Sequence, residues 1–192
     1  MATRVKSMDK RNALLKATLN LVNNNGFHDA PMSKIAKMAK VSPATIYIYF
    51  ENKQDLINQL YLEVKMAFTQ YAFKGYCSEM PVKKAFDYIW HNIADYKLKE
   101  VDEAWFLSQC DNTIMIDEAS REEGLKQLQP LLDLWERGQK EGIIKEMSPY
   151  LLYAYTIYPL AFLMNSQKRG YYHLDDKSLE QALQAAWDSI RI

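Results

Sequence analysis

Ser42-Pro43, set directly before Ala44-Thr45-Ile46-Tyr47-Ile48-Tyr49-Phe50, constrains this chain more than any other pair of residues. By composition the segment after it reads as a strand, because β-branched and aromatic side chains favour extended backbone. Serine, however, is a preferred helix N-cap, and proline suits the first helical position, where its missing N–H costs nothing. A strand would hardly open on both. The segment is therefore predicted to be a short helix that begins at Ser42-Pro43 and stops at Glu51-Asn52-Lys53. Its strand-like composition must then serve packing on one side and something outside the protein on the other.

Helical signals surround it. Ala13, Leu14, Ala17, Leu21 and Val22 fall at helical spacing between Ser7 and Asn24, and Asn25-Gly26 supplies the left-handed residues that end such a helix. A second short helix follows Pro31, with Ile35, Ala36, Met38 and Ala39 on its apolar face and Lys34, Lys37 and Lys40 largely outside it. A fourth, at residues 53–71, carries the stripe Leu56, Ile57, Leu60, Tyr61, Val64 and Phe68. Beyond a boundary region at Gly75–Pro81, five more are expected at about 82–98, 101–113, 118–140, 148–168 and 175–190. Pro130 and Pro159 lie inside these patterns and should kink or break them. With only six Gly and six Pro in 192 residues, a loop-rich β design is excluded. The expectation is an all-α chain of about nine helices. Residues 1–52 form a three-helix domain of helix-turn-helix type, residues 53–192 a larger helical domain, and helix 4 links the two.

Charge separates the same two parts. Residues 1–60 hold nine Lys and Arg against four acids, a net of +5, and the formal charge of zero leaves −5 for the other 132 residues. A basic head on an acidic body points to a polyanion partner for the head. The N-terminal MATRVKSMDK has no apolar core of the signal-peptide kind, and the longest apolar run, residues 150–164, falls short of the roughly 20 residues a membrane span needs. A cytoplasmic protein with Cys77 and Cys110 reduced and no membrane partner is expected.

In a helix-turn-helix the third helix must bury one face and offer the other to the major groove. Ile46 and Phe50, four apart, suit the buried face, leaving Ala44, Thr45, Tyr47, Ile48 and Tyr49 to reach outward or sideways. Ala13–Leu21, Asn25-Gly26-Phe27, Ile35-Ala36 with Ala39, and VSPATIYIYFENKQDL together make residues 10–56 resemble the N-terminal domain of the tetracycline-repressor (TetR) family of bacterial transcription regulators. The resemblance implies that Thr45, Tyr47 and Lys53 grip phosphates, and that Pro43, Ala44, Ile48 and Tyr49 face the groove. Hydroxyls and ammonium groups fix register on phosphate without reading sequence, whereas alanine and isoleucine make only apolar contacts, most usefully with a thymine methyl. No Arg, Asn or Gln stands between Ser42 and Phe50 to form a bidentate base contact, so Ser33, Lys34 or Lys37 and DNA shape are expected to contribute. Two departures matter. Ala30-Pro31-Met32 stands where the family usually has Thr or Ser near the start of helix 2, and Lys40 where it usually has a turn glycine. Ser33 can substitute for the first, and Lys40 gains a phosphate contact of its own.

For the body the family implies a ligand cavity and dimerisation through the last two helices. Trp90, Trp105, Phe106, Tyr158 and Phe162 are candidates for lining a pocket for a small apolar or aromatic ligand, beside which Cys110, Asp111 and His91 could lie. Leu152, Tyr155, Leu160 and Leu163, with Leu179, Leu183, Ala186, Trp187 and Ile190, suit a four-helix dimer interface. No metal and no cofactor are expected: His28, His91 and His173 are isolated, and no pair has metal-ligand spacing. The expected function is a homodimeric, ligand-responsive regulator, most simply a repressor, on a pseudo-palindromic DNA operator. The alternatives are an all-α small-molecule binder or enzyme with an incidental basic head, or an adaptor using that head for protein contacts. Against an enzyme, the sequence offers no Ser/His/Asp or Cys/His arrangement and no phosphate-binding glycine loop.

Overall fold

The computed structural model describes residues 2–111 and 113–192, with side chains from residue 8 onward. Among these residues eleven helices occur: α1 (Ala2–Asn25), α2 (Met32–Met38), α3 (Pro43–Tyr49), α4 (Lys53–Ala72), α5 (Val82–Lys99), α6 (Val101–Asp111), α7 (Glu118–Lys126), α8 (Gln129–Lys140), α9 (Pro149–Thr156), α10 (Tyr158–Lys168) and α11 (Asp176–Ile190). The two beyond the expected nine both arise at prolines. Pro130 and Pro159 do not merely kink their helices but end one and open the next, each sitting in the first turn of the new helix. There the absent N–H breaks no ladder bond, and the ring has no preceding turn to strike. No helix is long and apolar enough to cross a membrane among the described residues.

The chain divides into two compact units, Met1–Lys65 with Trp105–Gly124, and Met66–Ala104 with Leu125–Ile192. The expected division after residue 52 thus runs inside the first unit, which also takes in the start of α4 and most of α6 and α7. Its core is built from Leu14, Ala17, Leu21 and Val22 of α1, Ile35 and Ala36 of α2, Ile46 of α3, Phe50, and Leu56, Ile57 and Leu60 of α4, all buried. These are the apolar positions of the helical periodicities. In the second unit α5 packs against α8, α10 and α11, and α9 against α8, α10 and α11. Phe86, Ile89 and Trp90 of α5, Leu131, Leu134 and Trp135 of α8 and Trp187 of α11 are all buried, and the rings of Phe86 and Trp187 lie 5.2 Å apart. The C-terminus is tied down by a bridge between Ile144 and Arg191, with Lys145 N–H donating to the Ile190 carbonyl at 2.8 Å.

Candidate nucleic-acid interface

The turn joining α2 to α3 is set by backbone hydrogen bonds. Lys40 N–H donates to the Lys37 carbonyl at 3.1 Å and Val41 N–H to the Ala36 carbonyl at 3.0 Å, the pair of bonds that closes a Schellman C-cap. Such a cap needs a left-handed residue at its corner. Lys40 occupies it with φ 56°, the one non-glycine residue with positive φ among the described residues. Two residues later Ser42, in extended conformation, accepts the Thr45 N–H on Oγ at 3.2 Å, and Pro43 opens α3. The residues that read as a strand therefore form a capped helix of seven residues, as the Ser-Pro pair predicts.

One face of α3 is core: Ile46 and Phe50 are buried against α1 and α2 packing. The other is open. Ser42, Pro43, Ala44, Tyr47 and Ile48 are exposed on α3, as are Ser33, Lys34 and Lys37 on α2 and Lys40 in the turn. Tyr47 is 59% and Ile48 77% exposed. Nine of the twelve side chains expected at a DNA surface thus lie together on α2, the turn and α3. The remaining three are partly engaged. Thr45 is half-buried and shares a 2.7 Å hydrogen bond with the Ser42 hydroxyl, and the Tyr49 ring leans on Phe50 with centroids 6.4 Å apart. Lys53 donates to the carbonyls of Phe27 and, at 3.3 Å, His28, and its ammonium lies 4.4 Å from the Phe27 ring centroid. Burial pulls its pKa below the usual lysine value, with Asp29 partly opposing. Arg11, another head cation, is likewise engaged internally. It donates to Gln59 at 2.8 Å, pairs with Glu63, and stacks over Phe50 at 5.6 Å. Lys34, Lys37 and Lys40, on α2 and in the turn, are exposed beside α3, and Lys10 and Lys16 are exposed on α1.

A polar strip on α4 escaped the sequence reading. Gln54 donates to the Met115 carbonyl at 2.7 Å and to Asn58 at 2.9 Å, while Asn58 donates to Asp117 at 2.5 Å. Asp117 in turn caps α7 through Ser120 N–H at 2.8 Å, and Gln109 of α6 donates to Asn23 of α1 at 3.0 Å. These bonds, with Met115 and Ile116 buried, hold the α6–α7 segment in the first unit. The signal was present in sequence as two amides one helical turn apart beside the apolar stripe of α4, but their partners lie 59 and 61 residues away. Lys65, one turn past Tyr61, is buried near Asp111 and Cys110, and its pKa is lowered by desolvation.

The expected pocket residues belong to both units. Trp105 and Phe106 belong to the first unit, where Phe106 is fully buried. In the second unit Trp90 is buried and donates Nε1–H to the Thr156 carbonyl at 3.0 Å, whereas Tyr158 and Phe162 are exposed. The second unit does contain an open cleft of about 440 Å³, lined by Ala67, Gln70, Tyr71, Lys74, Tyr96, Glu100 and Glu103, none of them expected. Away from that lining, Trp135 Nε1 is buried in the second unit without a hydrogen-bond partner. Among the described residues no three His, Cys, Asp or Glu side chains are grouped to hold a metal.

Of the nine side chains expected at a dimer interface, Leu152, Leu160, Leu183, Ala186, Trp187 and Ile190 are buried within the second unit itself, so they back its surface rather than form it. Leu163 and Leu179 are half-buried. Tyr155 is exposed, and so are Tyr150, Leu151, Tyr158 and Phe162 on the same two helices, α9 and α10.

Comparison with known proteins agrees with this geometry. The family description "Bacterial regulatory proteins, tetR family" matches residues 14–60, and "Tetracyclin repressor-like, C-terminal domain" matches residues 81–191. A helix-turn-helix-type transcriptional regulator of Haemophilus influenzae is 24% identical over 192 residues, covering 95% of this chain and 96% of the relative. The fatty acid metabolism regulator protein of Bacillus subtilis is 42% identical over 50 residues, 26% of each chain. A crystal structure of a TetR family transcription regulator from Marinobacter aquaeolei superposes with a TM-score of 0.90 at 26% identity, covering 100% of this chain and 99% of that one. The chain belongs to the tetracycline-repressor family of helix-turn-helix transcriptional regulators.

Proposed function

We propose that the protein is a ligand-responsive repressor that binds a pseudo-palindromic operator as a homodimer. The observation that carries the reading is the open face of α3, flanked by the cations of α2 and the turn, on a helix whose other face is anchored by Ile46 and Phe50. Such a helix fits the major groove, and a two-fold dimer presents two of them about 34–36 Å apart, one turn of duplex. In this reading Thr45, Tyr47 and Lys40 take phosphates. Lys53 leaves the Phe27 and His28 carbonyls to do the same, since an ammonium gains more from a phosphate than from two peptide oxygens. Homodimerisation is supported by the exposed side chains of α9 and α10, where Tyr150, Leu151, Tyr155, Tyr158 and Phe162 leave apolar surface of the kind that marks interaction sites.

Ligand response would act through the equilibrium between two conformations, and its strength equals the ligand's differential affinity for them. The Gln54–Asn58–Asp117 strip is the proposed handle. It fixes the α6–α7 segment to α4, the helix that follows α3 in the chain. The fatty acid metabolism regulator matches only 26% of this chain, so the likeness carries no assignment of a ligand.

The test is a gel-shift of full-length protein with DNA flanking its own gene, at physiological salt and with excess non-specific competitor, alongside sedimentation in free solution. A specific shift containing two chains per duplex supports the reading. A protein that sediments as a monomer, or binds all duplexes alike, refutes it.

A further inference from the structure

We infer that the protein selects its DNA site chiefly through thymine C5-methyl groups, with Ile48 as the residue that reads them. The inference rests on the DNA-binding reading above and adds the chemistry of its specificity. Between Ser42 and Phe50 there is no Arg, Lys, Asn, Gln, Asp or Glu, so α3 has no group able to make a bidentate contact to a base edge. Its hydroxyls have other work: Thr45 shares a hydrogen bond with the N-cap Ser42, Thr45 and Tyr47 take phosphates in the reading above, and the Tyr49 ring leans on Phe50.

What α3 does offer is an aliphatic surface. Ile48 is 77% exposed although Ile46, two residues earlier, is completely buried. The fold therefore makes no use of the Ile48 side chain, and leaving it in water is unfavourable for the free protein. Ala44 is exposed one helical turn earlier on the same face, and its single methyl lets the helix backbone come close to the groove floor. The major groove of DNA has one apolar feature, the C5-methyl of thymine. Cytosine lacks it, and so does uracil. Ile48 is also β-branched, hence stiff at χ1, and loses little rotamer freedom on contact.

The experiment uses full-length protein and duplexes selected by it from a random library. Each thymine of the selected site is replaced in turn by deoxyuridine, which deletes the methyl and leaves base pairing and every hydrogen-bonding group intact. Burial of one methyl corresponds to a loss of about fourfold, and substitution in both half-sites to about fifteenfold. At the same position, 5-methylcytosine paired with guanine should bind several-fold tighter than cytosine paired with guanine. In Ile48→Ala the thymine-to-uracil ratio at that position should fall to about one. Because Ile48 is exposed, this variant should melt with the parent, which separates lost reading from lost folding. The inference is overturned if no thymine-to-uracil change alters affinity, or if Ile48→Ala keeps the full ratio. Failure to enrich any sequence would defeat the DNA-binding reading itself and this inference with it.

Discussion

Replacing Lys40 by glycine should make the protein more stable and a worse DNA binder. Lys40 holds φ 56° at the corner of the Schellman cap between α2 and α3. A left-handed conformation costs an L-residue about 1–2 kcal/mol, which glycine does not incur. Glycine loses more backbone entropy on folding, about 0.5–1 kcal/mol, which offsets part of the gain. The net stabilisation is therefore about 0.5–1 kcal/mol, a rise of about 1–4 °C in Tm for a chain of this size. On DNA the sign reverses. Each phosphate contact contributes about 0.9 to the slope of log K against log salt, so losing Lys40 from two heads should flatten that slope by about 2. Thermal unfolding followed by circular dichroism, and fluorescence anisotropy on one duplex at four salt concentrations, measure both. A destabilised variant would refute the strain argument. A stabilised variant with an unchanged slope would remove Lys40 from the DNA surface.

Three further outcomes follow from the interior. Gly138→Ala places a Cβ 2.5 Å from Cδ1 and 2.9 Å from Cγ1 of buried Ile144 and 3.0 Å from Cγ1 of Val82, so it should destabilise by about 1 kcal/mol in denaturant melts after its better helix propensity is counted, and a variant as stable as the parent would contradict the packing. Trp90→Phe leaves the Thr156 carbonyl without its indole donor, whereas Trp135→Phe removes a donor that has no partner. The first should therefore cost about 1–2 kcal/mol more than the second, and equal losses would contradict the hydrogen-bond assignment. Iodoacetamide at pH 8 should label exposed Cys77 alone, because burial, then the nearby Asp111, pushes the Cys110 thiol up to about 12; two labels on native protein would contradict this. Since the folded thiol titrates above its unfolded value, its contribution to stability is intact below about pH 9 and lost as pH rises toward 12.

The start of α3 was legible because its determinants are local: a serine cap and a proline that act within one turn. Pro130 and Pro159 were visible as interruptions. Whether such a residue bends a helix or divides it depends on the packing of the flanking turns, which periodicity does not report. The same limit applies to the body. Helical spacing placed Leu183, Trp187 and Ile190 on one apolar face of α11, yet it could not say whether that face meets the chain's own α5 and α9 or a second chain. Lys53 and Arg11 illustrate the head's version. Their charge was readable, but their partners lie 26 and up to 52 residues away, so only the fold shows that both are engaged internally in the free protein.

The central claim is that two copies of this chain place α3 in successive major grooves. Hydroxyl-radical footprinting of a selected duplex with full-length protein tests it directly. The account predicts two protected patches related by a two-fold axis, with centres about 10 base pairs or a multiple of one helical turn apart, each flanking the thymines sensitive to uracil substitution. A single protected patch, or uniform protection that shifts with competitor DNA, would contradict it.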